Sequence, residues 1–181
     1  MSLAPTTSRS SNTPYRFLCD EMLQGLGRWL RAAGYDTAIA GKGETDRRIL
    51  QLSRQQERFL ITRDKKLKEF RVASQWVILL RANAMPDALR ELSSRLPIDW
   101  LYLPFSRCLL CNTPLKDATL SQRQRLPDDI RERFDKAYYC PCCDKLYWEG
   151  GHVQRMRQRL KNLASSDNSR VEYSEHEKQK A

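Results

Sequence analysis

The chain has 181 residues, 30% of them charged, with a formal net charge of +10 and an isoelectric point of about 9.5. That length holds one ordinary domain plus a small metal-stabilised one, and no apolar run is long enough to span a bilayer. The excess of positive charge favours a polyanionic partner, nucleic acid being the commonest. The polar start lacks a signal-peptide core, so a cytoplasmic location with reduced thiols is expected.

Residues 1–14, polar and rich in Ser and Thr, are expected to form a disordered leader. Residues 15–19 predict a short buried strand, with Cys19 as a core residue. Met22, Leu23, Leu26, Leu30 and Ala33 are the apolar positions of the helix that follows, and Gly34 is its natural stop. A second strand over 36–40 leads through Gly41-Lys42-Gly43 to a helix starting at Thr45 or Asp46 and carrying Ile49, Leu50 and Leu52. Residues 59–62 predict a third strand, 65–70 a short helix and 76–80 a fourth strand. Pro86 suits the first turn of a helix running to about Leu96. This alternation implies an α/β domain over 15–98, a parallel sheet flanked by helices.

A strand over 100–105 is expected to lead into a second module over 99–163. Its signature is two Cys-x-x-Cys pairs, Cys108/Cys111 and Cys140/Cys143. Four thiolates so spaced are the usual recipe for a closed tetrahedral zinc site, which holds structure and leaves no position open for catalysis. A disulfide pair is the alternative. Asn112 and Asp144 stand where such turns need positive φ, which Asn and Asp tolerate. The long spacer between the pairs predicts a helix over 127–134, and 145–149 a ribbon strand. Cys142 is spare, and His152 has no place in a shell that four sulfurs complete. The helix expected over 151–163 places Arg155 and Arg159 on one face for phosphate contact. Residues 164–181, polar and charged, are expected to be a disordered tail.

In open parallel sheets, active sites gather at the carboxyl ends of the strands. Asp20 ends the first strand, Asp64 follows the third, and Asp46, with Glu44 beside it, opens the helix after the second. Carboxylates brought together repel, and Mg²⁺ or Mn²⁺ relieves that repulsion. Such an ion could polarise a phosphodiester and acidify a water. Each acid also has a plainer role: Asp46 and Asp64 as helix caps, Asp20 as a turn residue.

These residues resemble a family. Phe17-Leu18-Cys19-Asp20-Glu21-Met22-Leu23, Leu26-Gly27-Arg28-Trp29-Leu30-Arg31 and Gly34-Tyr35-Asp36-Thr37 are similar to the opening of the Mut-seven C-terminal ribonuclease family. Ile61-Thr62-Arg63-Asp64 with Leu67, the two cysteine pairs, Tyr147-Trp148 and Gly151-His152 resemble its later signatures. The resemblance implies a PIN-like fold followed by a zinc ribbon, and metal-dependent hydrolysis of RNA (tRNA, rRNA or mRNA) by Asp20, Asp46 and Asp64, with Glu44 as an additional acid. It also implies phosphate contacts by Arg28 and Arg31. Lys66 departs from a frequent acid position, and Glu69, a turn away, is a weak substitute. An RNA- or ribosome-binding protein of the same fold is the competing expectation, with a toxin of a toxin–antitoxin pair ranked below it.

Overall fold

Short runs of three or four residues, largely apolar in all but the second, build the first sheet. The structure is a computed structural model that describes residues 15–69 and 76–178. In it β1 (Arg16–Cys19), β2 (Asp36–Ile39), β3 (Phe59–Thr62) and β4 (Val77–Leu79) form a four-stranded, all-parallel sheet in the order β2-β1-β3-β4. Phe17, Leu18, Cys19, Leu60 and Ile61 are all buried, as expected for a parallel sheet covered on both faces. α1 (Gln24–Ala33), α2 (Asp46–Gln55), α3 (Lys66–Glu69) and α4 (Met85–Ser93) alternate with the strands. Leu18 and Leu60 pack with Ile49 of α2 and Leu67 of α3. On the other face Gly27 lets α1 come close: a Cβ there would stand 2.9 Å from Ile39 Cγ1.

Contacts divide the chain into two units, residues 1–30 with 35–98, and residues 31–34 with 99–181. In the first, a glutamate of α4 anchors the chain leaving β4. Glu91 Oε2 accepts from the Arg81 and Ala82 amides at 2.8 and 2.9 Å, and Oε1 accepts from Arg95 at 2.6 Å. At the amino ends of the strands, the nearly buried Arg58 donates to Asp36 through two nitrogens, at 2.8 and 3.1 Å.

The second unit carries an antiparallel sheet in the order β5-β6-β7, from β5 (Lys116–Asp117), β6 (Ala137–Cys140) and β7 (Lys145–Trp148). The spacer between the cysteine pairs folds as α5 (Leu120–Arg123) and α6 (Asp128–Arg133). α5 opens on a capping box, in which the Thr119 and Gln122 side chains each accept the other's amide.

Three expectations need correction. Residues 100–105 are turns, not a strand. Pro104 removes a ladder donor, Phe105 has φ of 60°, and the Leu103 and Phe105 amides donate instead to the Ala33 and Ala32 carbonyls, satisfying the end of α1. Met22 is 63% exposed, because a 3-10 turn at Glu21–Leu23 precedes α1 and turns it outward. The last helix, α7 (Gly151–Lys178), runs well past Leu163 through the expected tail; no Gly or Pro interrupts it after Gly151. The leader, Phe70 and the side chains of Glu69 and His176 lie outside the described residues.

Candidate functional site

The sheet order makes an opening. From β1 the chain crosses to β2 on one side, and from β2 it crosses back to β3 on the other, so the carboxyl ends of β1 and β3 flank a topological switch point. Asp20 and Asp64 lie there. The Asp20 amide continues the strand pairing by donating to the Ile61 carbonyl at 3.0 Å. Its side chain is 9% exposed, and Thr62 Oγ1 donates to Oδ2 at 2.8 Å. The same Oγ1 accepts the Asp64 amide at 3.0 Å, so Thr62 ties the two acidic positions together. No ion pair reaches Asp20 among the described residues, and a carboxylate this far out of water calls for a cationic partner.

The remaining acids are held differently. Asp64 Oδ1 accepts the Lys66 amide at 2.9 Å, opening α3. Asp46 occupies the first turn of α2, while Thr45 is the cap, its oxygen accepting the Arg48 amide at 3.4 Å. Glu44 is exposed beside Gly41. Among the described residues, the carboxylates of Asp20, Asp46 and Asp64 do not gather into a set with converging ligand atoms.

Two residues at this edge escaped the sequence argument. Glu21 Oε2 accepts the Gly43 amide at 3.1 Å, linking the end of β1 to the loop before α2. Arg63 reaches the Met22 carbonyl and Asn83 Oδ1, each at 3.4 Å, while its buried Nε finds no partner among the described residues. An acid directly after Asp20 was the signal for the first; nothing local marked the second.

The expected phosphate contacts separate into two kinds. Arg28, Arg155, Arg159 and His152 are exposed. Arg31 is not: it is 4% exposed, and its Nη1 donates to the Leu109 and Leu110 carbonyls at 3.0 and 2.7 Å. Burial leaves it no surface for a phosphate, so its role is corrected to holding the first cysteine turn.

That turn and its counterpart bring four sulfurs together. Sγ of Cys108, Cys111, Cys140 and Cys143 all lie within 4.8 Å of one another. The Asn112 and Asp144 amides donate to the Cys108 and Cys140 carbonyls, each at 2.9 Å, and both residues have the expected positive φ, 71° and 54°. A tetrahedral ion with metal–sulfur bonds of about 2.3 Å needs sulfurs about 3.8 Å apart. Cys108–Cys143 at 3.9 Å matches that spacing, and Cys111–Cys140 at 3.4 Å lies slightly inside it. The soft donor set also suits zinc.

The thiols perturb one another. Burial pushes Cys111 up, but hydrogen bonds from the Thr113 hydroxyl and amide, and from Cys143 and Cys140, outweigh it and bring it to about 6. Cys143 is pushed up, first by its hydrogen bond with Cys111 and then by burial. The second turn is further pinned by Arg125, which donates to both Asp144 carboxylate oxygens at 2.9 Å and to its carbonyl at 3.1 Å. Cys142 points outward, exposed.

Comparison with known proteins places these features in a family. The family model described as Mut7-C RNAse domain matches residues 15–160. The human protein named exonuclease mut-7 homolog is 46% identical over 48 residues, which cover 26% of this chain and 6% of that relative's length. No solved structure matches the chain.

Proposed function

The chain belongs to the Mut7-C RNAse domain family, and from that premise we propose that it is a metal-dependent ribonuclease hydrolysing RNA phosphodiester bonds at the carboxyl edge of the parallel sheet. The observation that carries the proposal is Asp20, a nearly buried carboxylate without an ion pair among the described residues, oriented by Thr62 at the switch point. Asp20, Asp46 and Asp64 would hold Mg²⁺ or Mn²⁺, with Glu44 as an additional acid; Mg²⁺ commonly keeps several of its waters, so few direct carboxylate contacts suffice. When bound, the ion supplies positive charge to the phosphate and acidifies water.

The protein's own part is positioning. Thr62 donates to one Asp20 oxygen and so fixes the orientation of its carboxylate. Arg28, Arg155 and Arg159 would hold the RNA backbone without reading its sequence, and the four-cysteine ribbon would be a structural zinc module. Cysteines held as zinc thiolates rather than disulfides fit a reducing cytoplasm. Among the described residues, no helix is long and apolar enough to cross a membrane.

A second reading, an RNA-binding protein that does not cleave, is favoured by one observation: Asp64 caps α3, and the three acids do not gather. One experiment separates them. Pure protein incubated with RNA and Mn²⁺ should cleave it, and Asp20→Asn should lower the rate about a hundredfold or more, as expected for removal of a group essential to charge stabilisation. Equal rates would reject Asp20; binding with no cleavage by either chain would favour the second reading.

A further inference from the structure

The ribbon unit contains a recess of about 540 Å³ that none of the metal chemistry uses. Its volume lies in the range of small-ligand sites, roughly 300–1,000 Å³. Asp117, Tyr138 and Tyr147 are directly opposite one another in the register of β5, β6 and β7, so they share one face of the sheet. That face forms one wall, and Phe105 and Arg157 contribute another part of the lining; Trp148 and Lys116, which also line the recess, belong to the opposite face of the sheet by the same alternation. The Arg157 guanidinium already lies 5.0 Å above the Phe105 ring, and an ion pair with Glu149 holds it. Phe105 is at φ 60°, a strained conformation for a bulky residue. Lys116, exposed on β5, has no ion pair among the described residues.

The geometry points to a seat for one unpaired nucleobase of single-stranded RNA, formed by Phe105 and Tyr138, with Arg157 and the long Lys116 side chain meeting the adjoining phosphate. Flat π-faces accept any base by stacking, and cations beside them follow the strand. A carboxylate in the same recess is unfavourable for a phosphate but suits the exocyclic amine of a base, and Asp117 lines the recess as such an acceptor. A duplex cannot enter, because its bases are already stacked and paired. This inference rests on the reading of the chain as an RNA-cleaving protein and adds to it a site for the strand outside the acidic edge.

The test uses the full chain carrying Asp20→Asn, to suppress cleavage, and follows the anisotropy of a short labelled RNA. The single strand is expected to bind more tightly than a blunt duplex of the same sequence. Tyr138→Ala should lower affinity for the single strand about tenfold. Lys116→Glu, an exposed change that leaves the core alone, should lower it as well and flatten its salt dependence. Bound zinc per chain, measured on each variant, reports that the ribbon is folded. Unchanged affinity in folded Tyr138→Ala and Lys116→Glu would overturn the seat, and so would equal affinity for duplex and single strand. A free mononucleotide binding as tightly as the strand would overturn its assignment to RNA. With Asp20 intact, cleavage together with Tyr138-independent binding sinks the seat and leaves the ribonuclease. Tyr138-dependent binding without cleavage does the reverse.

Discussion

Arg31 shows how a basic residue can be absorbed by a fold. Its guanidinium ends on two carbonyls of the Cys108–Cys111 turn. Arg31→Ala removes charged hydrogen bonds to two part-buried carbonyls, a loss on the order of 2 kcal/mol. Thermal unfolding should reveal it, and Arg28→Ala, on the exposed side of the same helix, should be close to neutral in the same measurement. From sequence the two were indistinguishable: both lie in Arg-Trp-Leu-Arg, and charge alone does not say which side chain turns inward. The positive φ of Asn112 and Asp144 was legible, because the chemistry of a cysteine turn demands it and few residue types meet the demand. Thr62 was not, because a threonine ending a strand is unremarkable until Asp20 is seen within 2.8 Å of it.

At the scale of elements, the parallel strands are legible because β1, β3 and β4 are short apolar runs and β2 follows the Gly34 stop of α1. β6 was harder: Ala137-Tyr138-Tyr139-Cys140 runs directly into the second cysteine turn, and the metal signature dominated. The error at 100–105 came from the same source, since apolar residues there looked like a strand although alternate positions are not buried: Leu101 and Leu103 are 40% and 51% exposed. The link between α4 and the end of β4 predicts a pH dependence. Burial pushes Glu91 up, but the Ala82 and Arg81 amides and Arg95 outweigh it, so its folded value lies below the ordinary 4.5. A depressed carboxylate stabilises the fold fully above its unfolded value and loses that contribution as pH falls through the folded one. Glu91→Gln should therefore be less stable than the parent by about 1 kcal/mol at neutral pH, and urea unfolding should show the gap closing below pH 4.5.

For the whole molecule, hard and soft donors are segregated: carboxylate oxygens at the edge of the first unit, thiolates in the second. Metal content should follow that division. One zinc per chain is expected by elemental analysis, retained in Cys142→Ser and lost in Cys140→Ser. Because structural zinc contributes on the order of 10 kcal/mol to folding, the second variant should also lose the near-ultraviolet dichroism of the aromatic residues on β6 and β7. Zinc retained in Cys140→Ser would reject the four-sulfur centre. The long interval between the cysteine pairs has its own part in this. Arg125, which no sulfur touches, grips Asp144 at the far turn from the end of α5. The insertion thus acts as a splint across the ribbon: a shortened ribbon could keep all four sulfurs and still lose the brace that sets the second pair's angle.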